Sequence, residues 1–187
     1  MKFEDKFLTF MVIGIITLGC VKTKEPVGYV DPFIGTDFFA HTYPGPGLPF
    51  GMVHLSPDGY TEGWTYASGY QYADNTIMGF SHTHYSGVGM TGKGDILIMP
   101  TVGQKLQVIP GSRENPDEGY RSRFEHSEET ASPGYYSVHL KDYDILAELT
   151  VTKRAGMHRY TFPKSDCSHI LIDLGHSIGR SSDEESR

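Results

Sequence analysis

The chain has 187 residues, enough for one domain with a sizeable core. Hydrophobic residues at 38% and charged residues at 21% exclude a disordered chain. The net charge of -7 argues against nucleic acid as a partner, because phosphate binding needs a basic face. With 12 Tyr, 10 Phe, 22 Gly and 11 Pro, the composition leans towards strands joined by turns.

At the N-terminus, Lys2 and Lys6 flank the start of an apolar run over residues 7–18. The run is too short to span a bilayer and has the length of a signal-peptide core. Gly19 and Cys20 follow at once, and then the polar Lys22-Thr23-Lys24-Glu25-Pro26. The segment resembles a bacterial lipoprotein signal in which Cys20 is lipidated. Thr17 and Leu18 depart from that pattern, as do the acidic Glu4 and Asp5, so a plain secretory signal is the alternative. Residues 1–20 are read as the signal and 21–28 as a linker. The expected location is the bacterial cell envelope, on a lipid anchor at the membrane, or outside the cell. Cys167 lies far from Cys20 and reads as a small, partly buried residue that does not pair with it.

The body opens with Tyr29-Val30-Asp31-Pro32, where Pro32 rules out a central strand position. Residues 40–51, AHTYPGPGLPFG, read as a shaped loop without regular structure. A short strand is expected over 52–55, closed by the turn signal Ser56-Pro57-Asp58-Gly59. Trp64, the single tryptophan, sits beside Gly63 in a stretch without apolar periodicity, so it is either core or an exposed platform. Residues 77–80 and 95–101 read as strands around a polar, glycine-rich turn. On extended backbone, residues two apart share a face, so His82 and His84 are expected to project together. Satisfied loop histidines are the bland alternative.

Beyond the turn, alternation is clear. Tyr136, Val138 and Leu140 share a parity, as do Ile145, Ala147, Leu149 and Val151, and then His158, Tyr160 and Phe162. Residues 170–174 are nearly all apolar, as in a strand buried on both faces. Residues 115–119 read as a charged loop, and no convincing helix is present. Many short strands at regular spacing predict an all-β, antiparallel β-sandwich.

Six segments in order carry a resemblance: YVDPFIGT, PFGMVHLSPDG, SGYQYADNTIMGFSHTHYSG, GDILIMPT, ELTVTKRAGMHRYTFP and ILIDLGH. Together they resemble the N-terminal domain of glycoside hydrolase family 92, the calcium-dependent exo-α-mannosidases of bacteria. The resemblance covers residues 29–176 and leaves 177–187 as a polar tail. It implies a galactose-mutarotase-like carbohydrate-binding sandwich, followed in the family by a larger helical barrel. That barrel holds the catalytic acid and base and most calcium ligands, and mannose leaves with inversion. The sequence ends before such a barrel, so a fragment with an incomplete sandwich is expected, inactive alone and binding no calcium alone. No catalytic residue is assigned to it. Its implied share is part of a cleft for mannose-containing glycans. By motif match Trp64 offers a ring face, and His82 and His84 offer hydrogen bonds to hydroxyls.

Two further readings compete. One is a stand-alone, lipid-anchored carbohydrate-binding module. The other is a zinc site on His82 and His84 with Asp74 or Asp95, for which no third ligand falls at a diagnostic spacing. Ser81 and Ser86 lack the surroundings of a nucleophile elbow.

Overall fold

The computed structural model describes residues 24–179. The expected signal and the lipidation of Cys20 lie outside them, as do residues 21–23 of the linker and 180–187 of the tail. The described residues form ten strands: β1 (Ser56–Asp58), β2 (Thr76–Ile77), β3 (Gly79–Ser81), β4 (Leu97–Val102), β5 (Ser122–Arg123), β6 (Glu129–Ser132), β7 (Tyr135–Leu140), β8 (Ile145–Val151), β9 (Gly156–Thr161) and β10 (Ser168–Asp173). Among the described residues there is no α-helix, only single 3-10 turns such as Trp64–Tyr66 and Pro116–Glu118. The latter falls inside the expected charged loop.

All pairings are antiparallel. One sheet runs β1-β3-β4-β10, a second β6-β7-β8-β9, and β2 and β5 form a small ribbon. The second sheet is the one the alternation foretold. Tyr136, Val138 and Leu140 face inward on β7, opposite Leu149, Ala147 and Ile145 of β8. Against them pack Leu55, Phe80, Leu97 and Met99 from the first sheet and its approach. The two inner faces form one core, which is what makes the architecture a sandwich.

Three local expectations change. The expected strand over 52–55 is reduced to a single bridge between His54 and Gly47. The expected turn at Ser56-Pro57-Asp58 is instead β1, with all three residues buried. Pro57 sits opposite Phe80 there, and β1 lies at a sheet edge, where a residue without an N–H is tolerated. The expected doubly buried strand over 170–174 is also an edge, β10, with one face open. Ile170, Ile172 and Leu174 are exposed, while Leu171 packs on the core. An apolar run alone does not distinguish a covered strand from one whose outer face awaits a cover.

Candidate functional site

One end of the sandwich collects the loops over 37–54, 60–66 and 82–95. The first is held in a costly conformation. Phe38, His41 and Phe50 all have positive φ, between 51° and 57°, which non-glycine residues rarely adopt. Hydrogen bonds fix it: Gly87 N–H donates to the His41 carbonyl at 2.6 Å, and Leu55 N–H to that of Pro46 at 3.2 Å. The tyrosine hydroxyl of Tyr43 donates to His54 Nδ1 at 2.5 Å, and His54 Nε2 donates to the Gly51 carbonyl at 3.1 Å. Burial pushes the Tyr43 hydroxyl up to about 12, so it stays a donor.

Trp64 stands beside this loop. Its ring lies 5.2 Å from that of Phe39 and 4.4 Å, edge to face, from that of His41. Its Nε1–H donates to the Gly89 carbonyl at 2.9 Å. A Cβ at Gly89 would sit 2.5 Å from the indole nitrogen, so this close approach requires glycine. Trp64 is 55% exposed as a residue and lines a cleft of about 420 Å³ with Met90, Thr91 and Gly179. The exposed alternative for Trp64 is the one the fold adopts. His41 was not singled out from sequence. Its Nε2 is buried without a hydrogen-bond partner, one of few such atoms among the described residues. Nothing in its Pro- and Gly-rich surroundings signals that burial.

His82 and His84 do not project together, because the strand ends at Ser81 and the chain turns between them. His84 points into the molecule. Its Nδ1–H donates to the His54 carbonyl at 2.6 Å and its Nε2–H to Asp58 Oδ1 at 2.9 Å. Both ring nitrogens are therefore engaged by oxygens of the chain. Asp58 Oδ2 accepts a second bond from His176 Nε2 at 2.8 Å. Burial works to raise the pKa of Asp58, but the His84 charge and the bonds from both imidazoles prevail. The carboxyl is held well below its ordinary 3.8. A second cleft of about 380 Å³ lies beside His84, lined by Tyr43, His54, Thr83 and Lys93, but the His84 side chain itself is fully buried.

His82 turns the other way. Its Nδ1–H donates to the Ile96 carbonyl at 2.7 Å, and its Nε2 meets Nε2 of His158 at 3.2 Å. Both ring nitrogens of each candidate histidine are therefore engaged within the chain. The sequence missed Asp58, which it read as a turn residue, and His158, which it read as an inward strand residue. It included His176 only as the end of ILIDLGH.

The geometry also bears on the other chemistries. Ser81 Oγ lies 3.0 Å from His84 Nε2, and Asp58 meets that same nitrogen. A serine triad needs serine and carboxylate on opposite ring nitrogens, and Ser81 is fully buried, so no nucleophile is assembled. For the zinc reading, the two imidazoles diverge. Asp95 accepts from the Thr83 hydroxyl at 2.5 Å, and Asp74 from Tyr66 at 2.7 Å and from Arg113. Among the described residues no group of three His, Cys, Asp or Glu side chains can hold a metal. Calcium wants six to eight oxygens, and this oxygen set does not fit it.

A family model described as the glycosyl hydrolase family 92 N-terminal domain matches residues 29–187. A family GH92 α-mannosidase of Bacteroides thetaiotaomicron, solved in complex with mannoimidazole, superposes with a TM-score of 0.82 at 46% identity. The match covers 84% of this chain and 21% of that one. A GH92 inverting mannosidase of the same organism gives 0.61 at 29% identity, over 81% of this chain and 20% of its own. An uncharacterized secreted glycosidase of Arthroderma benhamiae is 28% identical over 175 residues, 86% of this chain and 22% of the relative. The chain thus spans about a fifth of the length of the proteins it matches.

Proposed function

The chain belongs to glycosyl hydrolase family 92, as its N-terminal sandwich domain, and from that premise we propose that it serves an exo-acting α-mannosidase trimming mannose-containing glycans. Its share is the Trp64 end of the cleft. The observation that carries this reading is the half-exposed Trp64, held by its own Nε1–H bond beside a strained, hydrogen-bonded loop. A rigid aromatic face at the lip of a cleft suits the apolar face of a sugar ring. His82 and His84 contribute through the loops they fix. The acid, the base and the calcium belong to the larger part of such an enzyme. That part also covers the apolar side chains around the site, among them Phe38, Phe39, Met52 and the fully exposed Phe50.

The test is a chimera in which residues 29–179 replace the matching segment of the 46% identical mannosidase. The chimera is expected to hydrolyse α-mannosides with calcium, and this chain alone is expected not to. Trp64→Ala lowers kcat/KM of the chimera at least about tenfold, or about 1.4 kcal/mol, with little change in melting temperature. Unchanged kinetics, or a large loss of stability with unchanged turnover, would give Trp64 a structural role instead.

We also place the chain on a lipid anchor at Cys20 in the cell envelope, on the strength of the apolar run before it. Mass spectrometry of the N-terminal peptide is expected to find a diacylglyceryl-modified Cys20 as first residue. An unmodified Met1 would sink the assignment.

A further inference from the structure

β10 ends its sheet, and one row of its backbone groups is unused among the described residues. Gly103 N–H donates to the Cys167 carbonyl at 2.9 Å just ahead of the strand. The register carries that bonded parity on to His169, Leu171 and Asp173, which face Thr101, Met99 and Leu97 of β4. Ser168, Ile170 and Ile172 therefore turn their N–H and carbonyl groups to the open edge. Leu171 packs on the core, so the side chains of Ile170 and Ile172 stand on the outer face, where both are exposed. Two other edges are blunted, β1 by Pro57 and β9 by the exposed Arg159. The outer face of β10 carries neither a charge nor a proline. The strand also mirrors itself about Leu171: Ile172 answers Ile170, and Asp173 answers His169.

We propose that β10 pairs antiparallel with β10 of a second copy of this chain, across a two-fold axis at Leu171. The inference does not depend on the carbohydrate reading, since it uses only the edge of one sheet. The axis sets Ile170 opposite Ile172 of the other copy, and both residues have open N–H and carbonyl groups to exchange. On the outer face Ile170 already has Pro100 beside it, and Ile172 has Ile98. Pairing joins these into apolar rows that cross from one copy to the other. On the inner side His169 stands opposite Asp173 of the other copy, an imidazole against a carboxylate, at both ends of the pairing. Neither has to give up a bond for this. His169 Nε2 donates to the Gly103 carbonyl at 2.9 Å, and Asp173 Oδ1 accepts from Gly175 N–H at 2.8 Å. Other positions of the axis lose the match. Centred on Ile170, the pairing sets Asp173 against Cys167 and His169 against Leu171. Centred on Ile172, it sets Asp173 against Leu171 and His169 against Gly175. A strand supplied by the larger part of a family 92 enzyme competes for the same edge, but the self-matching order of side chains favours a second copy.

The experiment is sedimentation equilibrium on the full 187-residue chain, paired with amide exchange at rising protein concentration. A dimer with Kd between about 1 μM and 1 mM is expected. The Ile170 and Ile172 amides have no acceptor in one copy and should gain protection at least about tenfold as the dimer fills. Leu171 N–H, bonded to β4, stays protected throughout. In a mixture of labelled and unlabelled chains, the α-proton of Leu171 should contact that of its counterpart, because this is the non-bonded pair on the axis. Ile172→Lys sets an ammonium among the isoleucines on an exposed face and should weaken the dimer at least about tenfold, with little change in monomer stability. Asp173→His sets imidazole against imidazole and should weaken it too, and adding His169→Asp should restore it. A chain that stays monomeric at about 1 mM overturns the proposal, and that is the result expected if the edge serves a strand of the larger enzyme. So does a dimer that Ile172→Lys leaves unchanged, or one whose axis contact falls on another residue. If the exchanged variants fail to fold, the axis contact in the wild type still decides.

Discussion

Asp58→Ala is expected to cost about 3–5 kcal/mol, the loss typical when one partner of a buried charged pair is removed. The side chain is fully buried and is the sole carboxylate between His84 and His176. Without it two buried imidazole N–H groups lose their acceptor. Urea unfolding should show the midpoint drop with little change in slope. The damage should also be local to the site. His176 anchors the stretch that includes Ile178 and Gly179, and this stretch ties the site's loops together. Gly92 N–H donates to the Ile178 carbonyl at 2.8 Å, and Gly179 N–H to that of Thr61 at 2.6 Å. Ile178 itself is buried under Gly69 and Gly94. Amide exchange at Gly92 and Gly179 should therefore accelerate more than in β7 or β8. A variant within about 1 kcal/mol of wild type would show that the cluster is not what holds this end.

The same carboxyl carries a pH signature. Its folded pKa lies below the ordinary 3.8 of the unfolded chain. The stabilisation is thus complete above that value. It is lost as pH falls below it, because the unfolded chain takes the proton first. Asp58→Ala should flatten the dependence of unfolding free energy on pH below about 4. An acid limb equally steep in both proteins would assign the slope to other carboxylates.

The fold and the site differed in how far they could be read from the residues. In β7, β8 and β9 the period-two pattern reports burial directly, because each strand has one face inward and one outward, and the inward set matched in register. Family membership could be read from ordered motifs. The buried polar groups could not. Asp58 lies in Ser-Pro-Asp-Gly, whose local chemistry favours a turn, and what overrides that preference is tertiary. Its partners are 26 and 118 residues away, and no local pattern encodes them. His82 and His84 failed for a related reason. Their shared parity holds only while the backbone stays extended, and β3 stops one residue before His82. Trp64 was undecided between core and platform for want of periodicity, and only its bond to Gly89 and the loop beside it decide the matter.

Glu129 is the second position where a large loss is expected. It opens β6 and is buried, with three donors converging on its carboxylate. The Tyr136 hydroxyl donates to Oε1 at 2.6 Å, the Tyr70 hydroxyl reaches both oxygens at 3.1 and 3.0 Å, and His126 Nδ1 donates to Oε2 at 2.7 Å. Burial, reinforced by Glu129, pushes both tyrosines above their ordinary pKa of 10, so they remain donors at any working pH. Glu129→Ala leaves those hydroxyls without an acceptor and opens a small void, so about 3–5 kcal/mol is expected. Glu129→Gln keeps one oxygen for Tyr136 but turns an amide donor towards the others, and about 1–3 kcal/mol is expected. Tyr70→Phe, which removes one donor and leaves the carboxylate two, should cost about 1 kcal/mol. Combining it with Glu129→Ala should cost less than the sum, since the phenylalanine has no hydroxyl to strand. The loss should also reach the surface. His126 stacks on Tyr72 at 4.0 Å, and Tyr72 packs edge-on against Phe33. Without the carboxylate the imidazole loses the bond that orients it, so exchange-broadened ring signals of Tyr72 are expected in Glu129→Ala and not in Tyr70→Phe. Equal losses for the alanine and glutamine variants, with strict additivity to Tyr70→Phe, would mean that Glu129 acts by volume alone and not as the acceptor of a network.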